Sequence, residues 1–219
     1  MLTGPQIQAY FQGSIVTLKI TVVAIIIGIL LGIIIALGRM SQNKILRGLS
    51  WLYVWVFRGT PLLLQLFVVF YALPLFTINF FGVPVRLPGL MPAYVAFSIN
   101  SAAYLAEIFR AGIQSIDKGQ MEAAKALGMS YNQAMFKIII PQSYRRLIPP
   151  VGNELIMLIK DTSLVASIAI FEILRTTTQM SNATGETYYY AYAAAIYLLF
   201  TTIIQYVFGK IEAKYAVYE

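Results

Sequence analysis

The sequence predicts an all-α protein, an integral membrane bundle of about five transmembrane helices. Three observations carry that expectation. Hydrophobic residues make up 59% of the 219-residue chain and charged residues 11%, against roughly 25% charged in an ordinary soluble domain. Mean hydropathy is +0.73, so too few charges remain to cover a water-facing surface. Apolar runs near the roughly 20 residues that cross a bilayer core about 30 Å thick recur along the chain, separated by charge, proline or glycine.

Taken in order, the runs form one transmembrane domain over residues 1–219, with helices expected at about 14–37, 61–81, 92–109, 148–173 and 188–208. The first is too long for a signal h-region and lacks a basic segment before it, so it is expected to stay in the membrane. Its Gly28 and Gly32 form a G-x-x-x-G, a spacing that lets another helix approach closely, and Lys19 near its outer end is expected to snorkel to the interface. A basic turn (Arg39, Lys44, Arg47) and an interfacial belt of Trp51, Tyr53 and Trp55 lead to the second run. A proline- and glycine-rich segment around Gly82 to Gly89 leads to the third. A long polar stretch from Ala111 to Arg146 precedes the fourth, and a polar loop near Thr176 to Thr187 separates it from the fifth, which opens on the outer belt Tyr188, Tyr189, Tyr190 and Tyr192.

Lysine and arginine mark the cytoplasmic side of a membrane protein. Arg39, Lys44, Arg47, Arg58, Arg110, Lys118, Lys125, Lys137, Arg145, Arg146, Lys210 and Lys214 fall on one face, whereas the other has Arg86 and Arg175. The N-terminus is therefore expected outside and the C-terminus in the cytoplasm of a multi-pass cell-membrane protein. The net charge of +7 is spread between apolar runs and not gathered in a patch, so the expected surroundings are membrane lipid and no nucleic acid. Cysteine and histidine are both absent. That removes thiolate metal sites, cysteine nucleophiles and the usual neutral-pH base, so no catalytic residue and no metal site is expected.

Ionisable side chains inside a bilayer cost roughly 2.5 to 3.5 kcal/mol each and should face a cavity or a partner. The fourth run holds Glu154, Lys160 and Asp161. Glu154 and Asp161, seven apart, share a helical face, whereas Lys160 points elsewhere. With Asn153 beside Glu154, Asn100 and Tyr104 on the third run and Gln65 on the second, they are expected to line a small polar pocket for a cationic ligand. Asp161 and Lys160 have a structural or gating role as the alternative. Glu107 sits beside Arg110 at i, i+3, which favours a local salt bridge.

The stretch 117–141 encodes two short helices on the cytoplasmic side. The first ends at Gly128, the residue type that closes a helix in a left-handed cap. The second opens on a capping box, Ser130 with Gln133, and is expected to run until Pro141 breaks it. Such a knob either lies on the membrane or docks on another protein. Glu122-Ala123-Ala124, three residues, Gly128, nine residues, Ile138, one residue, Ile140-Pro141 resembles the EAA signature of ABC importer permeases, with isoleucine where the family usually shows leucine before the proline. Phe57-Arg58-Gly59-Thr60-Pro61-Leu62 and Lys160-Asp161-Thr162-Ser163-Leu164 are similar to stretches of the polar amino acid branch. The resemblance covers nearly the whole chain.

That resemblance implies a type I ABC importer permease fold. It implies a coupling helix whose Glu122, Ala123, Ala124 and Gly128 contact an ABC ATPase subunit, present in two copies. It also implies a second permease chain, identical or closely homologous, and an extracytoplasmic solute-binding protein. No G-x-x-x-x-G-K-[ST] phosphate loop occurs, so ATP and Mg belong to the partner and the chain itself carries no cofactor. The expected activity is alternating-access import of a polar amino acid, favoured to be basic (arginine, lysine or histidine). A neutral cargo such as glutamine, or a non-transporting scaffold or channel subunit, is the alternative. The count of helices and the lack of repeated halves argue against a gradient-driven transporter.

Overall fold

The structure is a computed structural model that describes residues 2–216, among which no strand occurs. α1 (Gly4–Met40) begins at a capping box between Thr3 and Gln6 and ends at the basic turn. The segment expected as turn and belt is instead a 16-residue amphipathic helix, α2 (Lys44–Gly59), whose first N–H groups are capped by Asn43. Its Tyr53 turns inward and donates to the carbonyl of Ile99 at 2.7 Å, so this belt residue anchors α2 to the next helix and not to lipid. Tyr189 of the outer belt is likewise buried and accepts from Gln6 at 2.9 Å.

α3 (Leu62–Phe67), a π-helical turn (Val68–Ala72) and α4 (Leu73–Phe81) run on as one helix. The wide turn stands just before Pro74, whose ring and missing N–H disturb the carbonyl four residues back. α5 (Met91–Gln114) follows, with Pro92 in its first turn. α6 (Lys118–Ala126) closes where expected. Gly128 adopts φ +79, its N–H donates to Lys125 O at 2.9 Å and that of Met129 to Ala124 O at 3.1 Å, the paired bonds of a Schellman cap. α7 (Tyr131–Ala134) starts at the Ser130–Gln133 capping box.

Two expectations are corrected in the next stretch. Pro141 does not end the helix: a second π turn (Met135–Ile139) absorbs the proline, and the chain continues directly into α8 (Ile140–Asp161). Nor is 148–173 one crossing. α8 gives way at Thr162 to a 3-10 segment (Thr162–Ile168), Ala169 takes a left-handed φ of 61, and α9 (Ile173–Thr184) occupies most of the expected polar loop. The cause is Glu172, fully buried, whose carboxylate accepts from the N–H of Leu174 at 2.8 Å and Arg175 at 2.7 Å and from the Tyr197 hydroxyl at 2.8 Å. A carboxylate so placed starts a new helix instead of prolonging an old one. α10 (Tyr189–Ala216) completes the bundle.

α1 and α5 form the principal seam. Ala24, Gly28, Gly32 and Ala36 are all buried at four-residue spacing, opposite Ser101, Leu105 and Ala106 of α5. A Cβ on Gly28 would meet Ser101 Oγ at 3.0 Å, and one on Gly32 would meet Leu105 Cβ at 3.0 Å. The G-x-x-x-G thus packs within the chain. α1, the α3–α4 helix and α10 are long and apolar enough to cross a membrane. α5 is less apolar than these: α1, α2, α3 and α8 pack around it, which allows it Ser98, Asn100 and Ser101 on its buried side.

Candidate functional site

The site begins with a break. Between α2 and α3 the chain passes through Thr60-Pro61, and Pro61 cannot donate to the carbonyl of Phe57, four residues back. An unpaired carbonyl in an apolar interior costs several kcal/mol. Two amides satisfy it: Gln65 Nε2 donates to Phe57 O at 2.9 Å, and Asn100 Nδ2 donates to it at 3.2 Å. Gln65 Nε2 also reaches Thr60 O at 3.1 Å and Thr60 Oγ1 at 2.9 Å, while its Oε1 accepts from Asn100 at 3.0 Å. Gln65, expected in the pocket wall, is consumed by the backbone behind it.

The break opens a cavity of about 350 Å³ between the α2–α3 junction, α5 and α8, with Thr60, Asn100, Tyr104, Glu154 and Asp161 in its wall. Glu154 is 7% exposed and faces the Ser101 hydroxyl, which itself closes no hydrogen bond. Four of the six residues expected to bind a ligand therefore share one cavity: Glu154, Asp161, Asn100 and Tyr104. Asn153 does not. It lies on an exposed face of α8, as does Lys160. A wider, open cleft of about 980 Å³ lies between the start of α8 and the end of α10, but none of the six lines it.

Arg58 was expected in a water-facing loop. It stands instead in the last turn of α2 with its guanidinium 5.2 Å from the Tyr104 ring centroid. Beyond Tyr104 a second cavity of about 380 Å³ holds Arg39, Trp51, Arg58 and Glu107. There Glu107 bonds to Arg110, the expected i, i+3 pair, and Arg39 Nη2 lies 3.7 Å from Glu107 Oε2. The sequence offered a signal for Arg58 in the Pro61 two residues beyond Gly59, since a proline there ends α2 and leaves Arg58 in its last turn. Glu172 carried one too, as a lone acid between apolar Phe171 and Ile173.

At the far end, α6 and α7 form a knob. Glu122, Ala123 and Gly128 are exposed, but Ala124 is buried and packs inward, so the thin surface expected from two alanines comes from Ala123 alone. Leu127, which sequence reasoning passed over, is 82% exposed at the tip.

Residues 28–217 match the family described as the binding-protein-dependent transport system inner membrane component. The chain is 39% identical over 216 residues to the arginine transport system permease protein ArtQ of Bacillus subtilis (strain 168), covering 97% of this chain and 94% of that one. It is 35% identical over 215 residues to the putative glutamine transport system permease protein GlnP of Rickettsia bellii (strain RML369-C), covering 96% and 94%. Among solved structures it resembles that of an amino acid ABC transporter with histidines, with TM-score 0.86, 36% identity and 94% of each chain covered. The chain belongs to the binding-protein-dependent transport system inner membrane components, a permease subunit that works with a substrate-binding protein and a separate ATPase.

Proposed function

We propose that this permease imports basic α-amino acids through the cavity between α2–α3, α5 and α8. The observation that carries the reading is the pair of carboxylates, Glu154 and Asp161, in one cavity wall with the Tyr104 ring. Among the described residues no arginine or lysine lines that cavity, so a guanidinium or ammonium ligand supplies the charge that two carboxylates in an apolar surround require. A relative named for arginine transport supports this cargo. Arg58 at the cavity's edge and a relative named for glutamine transport favour a neutral polar amino acid as the second reading.

In this reading the chain pairs with a second copy or a close homologue, and two ATPase subunits receive the α6–α7 knobs through Glu122, Ala123, Leu127 and Gly128. ATP and Mg are bound there and not here. Arg39, Arg47, Lys118 and Arg146 border cavities at one end of the bundle, which the positive-inside rule assigns to the cytoplasm, leaving the N-terminus outside. ATPase closure then draws the knobs together and turns the cavity outward; hydrolysis returns it inward.

Uptake by proteoliposomes holding the whole transporter and its binding protein tests the cargo. Glu154→Gln is expected to lower arginine uptake about tenfold, the loss of one charge-assisted contact of roughly 1.5 kcal/mol, and to erase preference for arginine over glutamine. Undiminished uptake with unchanged preference rejects the basic cargo.

A further inference from the structure

The substrate cavity and the second, cytoplasmic cavity share one wall, the Tyr104 ring. Arg58 lies against that ring at 5.2 Å, and Gly59 of the second cavity is followed directly by Thr60 of the first. The guanidinium is within electrostatic reach of carboxylates on both sides, Glu154 in the substrate cavity and Glu107 in the other. Among the described residues this exposed side chain makes no hydrogen bond and no ion pair within 4 Å, and the Tyr104 ring is its cation–π partner.

Glu107 keeps one acceptor open. Oε1 is bonded to Arg110, but Oε2 is buried without a hydrogen-bond donor, with Arg39 at 3.7 Å. A buried acceptor left open costs about 1 to 3 kcal/mol and so favours any donor that reaches it.

We propose that Arg58 and Tyr104 form an inner gate between the substrate cavity and the cytoplasm, and that Arg58 opens it by moving from the Tyr104 ring to Glu107 Oε2. Seated on the ring, the guanidinium closes the wall sterically and repels a cation held by Glu154 and Asp161. Drawn to Glu107, it clears the wall and leaves the cationic ligand free to pass. The charge part of this gate rests on the basic-cargo reading, whereas the steric part holds for any amino acid.

The test is leak without ATP from liposomes holding the complete transporter and preloaded with labelled L-arginine or, separately, L-glutamine. Arg58→Gln is expected to raise ATP-independent efflux about tenfold, Arg58→Lys to keep efflux near the wild-type rate by preserving charge, and Tyr104→Leu to leak like Arg58→Gln. Glu107→Gln is expected to do the reverse, slowing ATP-driven uptake with no added leak, because Arg58 loses its landing site. Efflux from Arg58→Gln equal to wild type, or equal leak from Arg58→Gln and Arg58→Lys, overturns the charge gate. Should Arg58→Gln fail to assemble, undiminished uptake by Glu107→Gln overturns it. A transporter that carries glutamine and ignores arginine defeats the basic-cargo reading alone, since the glutamine arm still reports whether the wall opens.

Discussion

The seam between α1 and α5 and the cavity between α2–α3, α5 and α8 occupy adjoining faces of one helix, meeting at Ser101, and are built on opposite rules. The seam is closely packed and made mostly of small residues, Ala24, Gly28, Gly32 and Ala36 against Ser101, Ala102, Leu105 and Ala106. In a membrane such close contact is itself the attraction, because lipid tails are as apolar as leucine. The cavity wall is broken at Pro61, and the helices that run into it carry π turns before Pro74 and Pro141, Pro149 and Pro150 inside α8, and a left-handed Ala169 beyond. Helices interrupted in this way have fewer backbone bonds to hold one shape. α5 is thus the unbroken back wall of a chamber whose front is built from interrupted helices.

Substitutions can break or sharpen that contrast. The largest effect is expected at the seam, where Gly32→Leu drives a side chain into Leu105 and the backbone of Ala102 and Ala106. Overpacking of that kind costs about 3 kcal/mol and should appear as loss of assembled protein or a lowered Tm in detergent. Gln65→Leu comes next. It withdraws the donor shared by Phe57 and Thr60 and leaves Asn100 partly unpaired, a cost of about 1 to 3 kcal/mol, read as a lower Tm together with slower uptake. Asn153→Ala, on the exposed face of α8, should shift Tm by less than the equivalent of about 0.5 kcal/mol and leave uptake within twofold. A larger loss there would mean that this face meets another subunit.

Much of this was legible in the chain. The knob's boundaries were written in Ser130, Gln133 and Gly128, whose capping preferences act locally. The shared face of Glu154 and Asp161 followed from helical spacing, because α8 is regular between them. What escaped reading depends on partners distant in sequence. Gln65 reads as a pocket amide until the unpaired carbonyl of Phe57 is placed beside it. Arg58 reads as a loop cation until Tyr104 arrives from another helix. The broken helical path after Asp161 turns on Glu172 being buried against Tyr197, a contact across 25 positions that hydropathy alone does not register.

Backbone hydrogen exchange tests the contrast most directly, with the complete transporter compared without nucleotide and with ATP trapped in its ATPase. The account predicts that residues 24–36 and 98–106 exchange at the same rate in both states, whereas 57–72 and 162–172 change about tenfold. Equal changes on the two faces of α5 would contradict it.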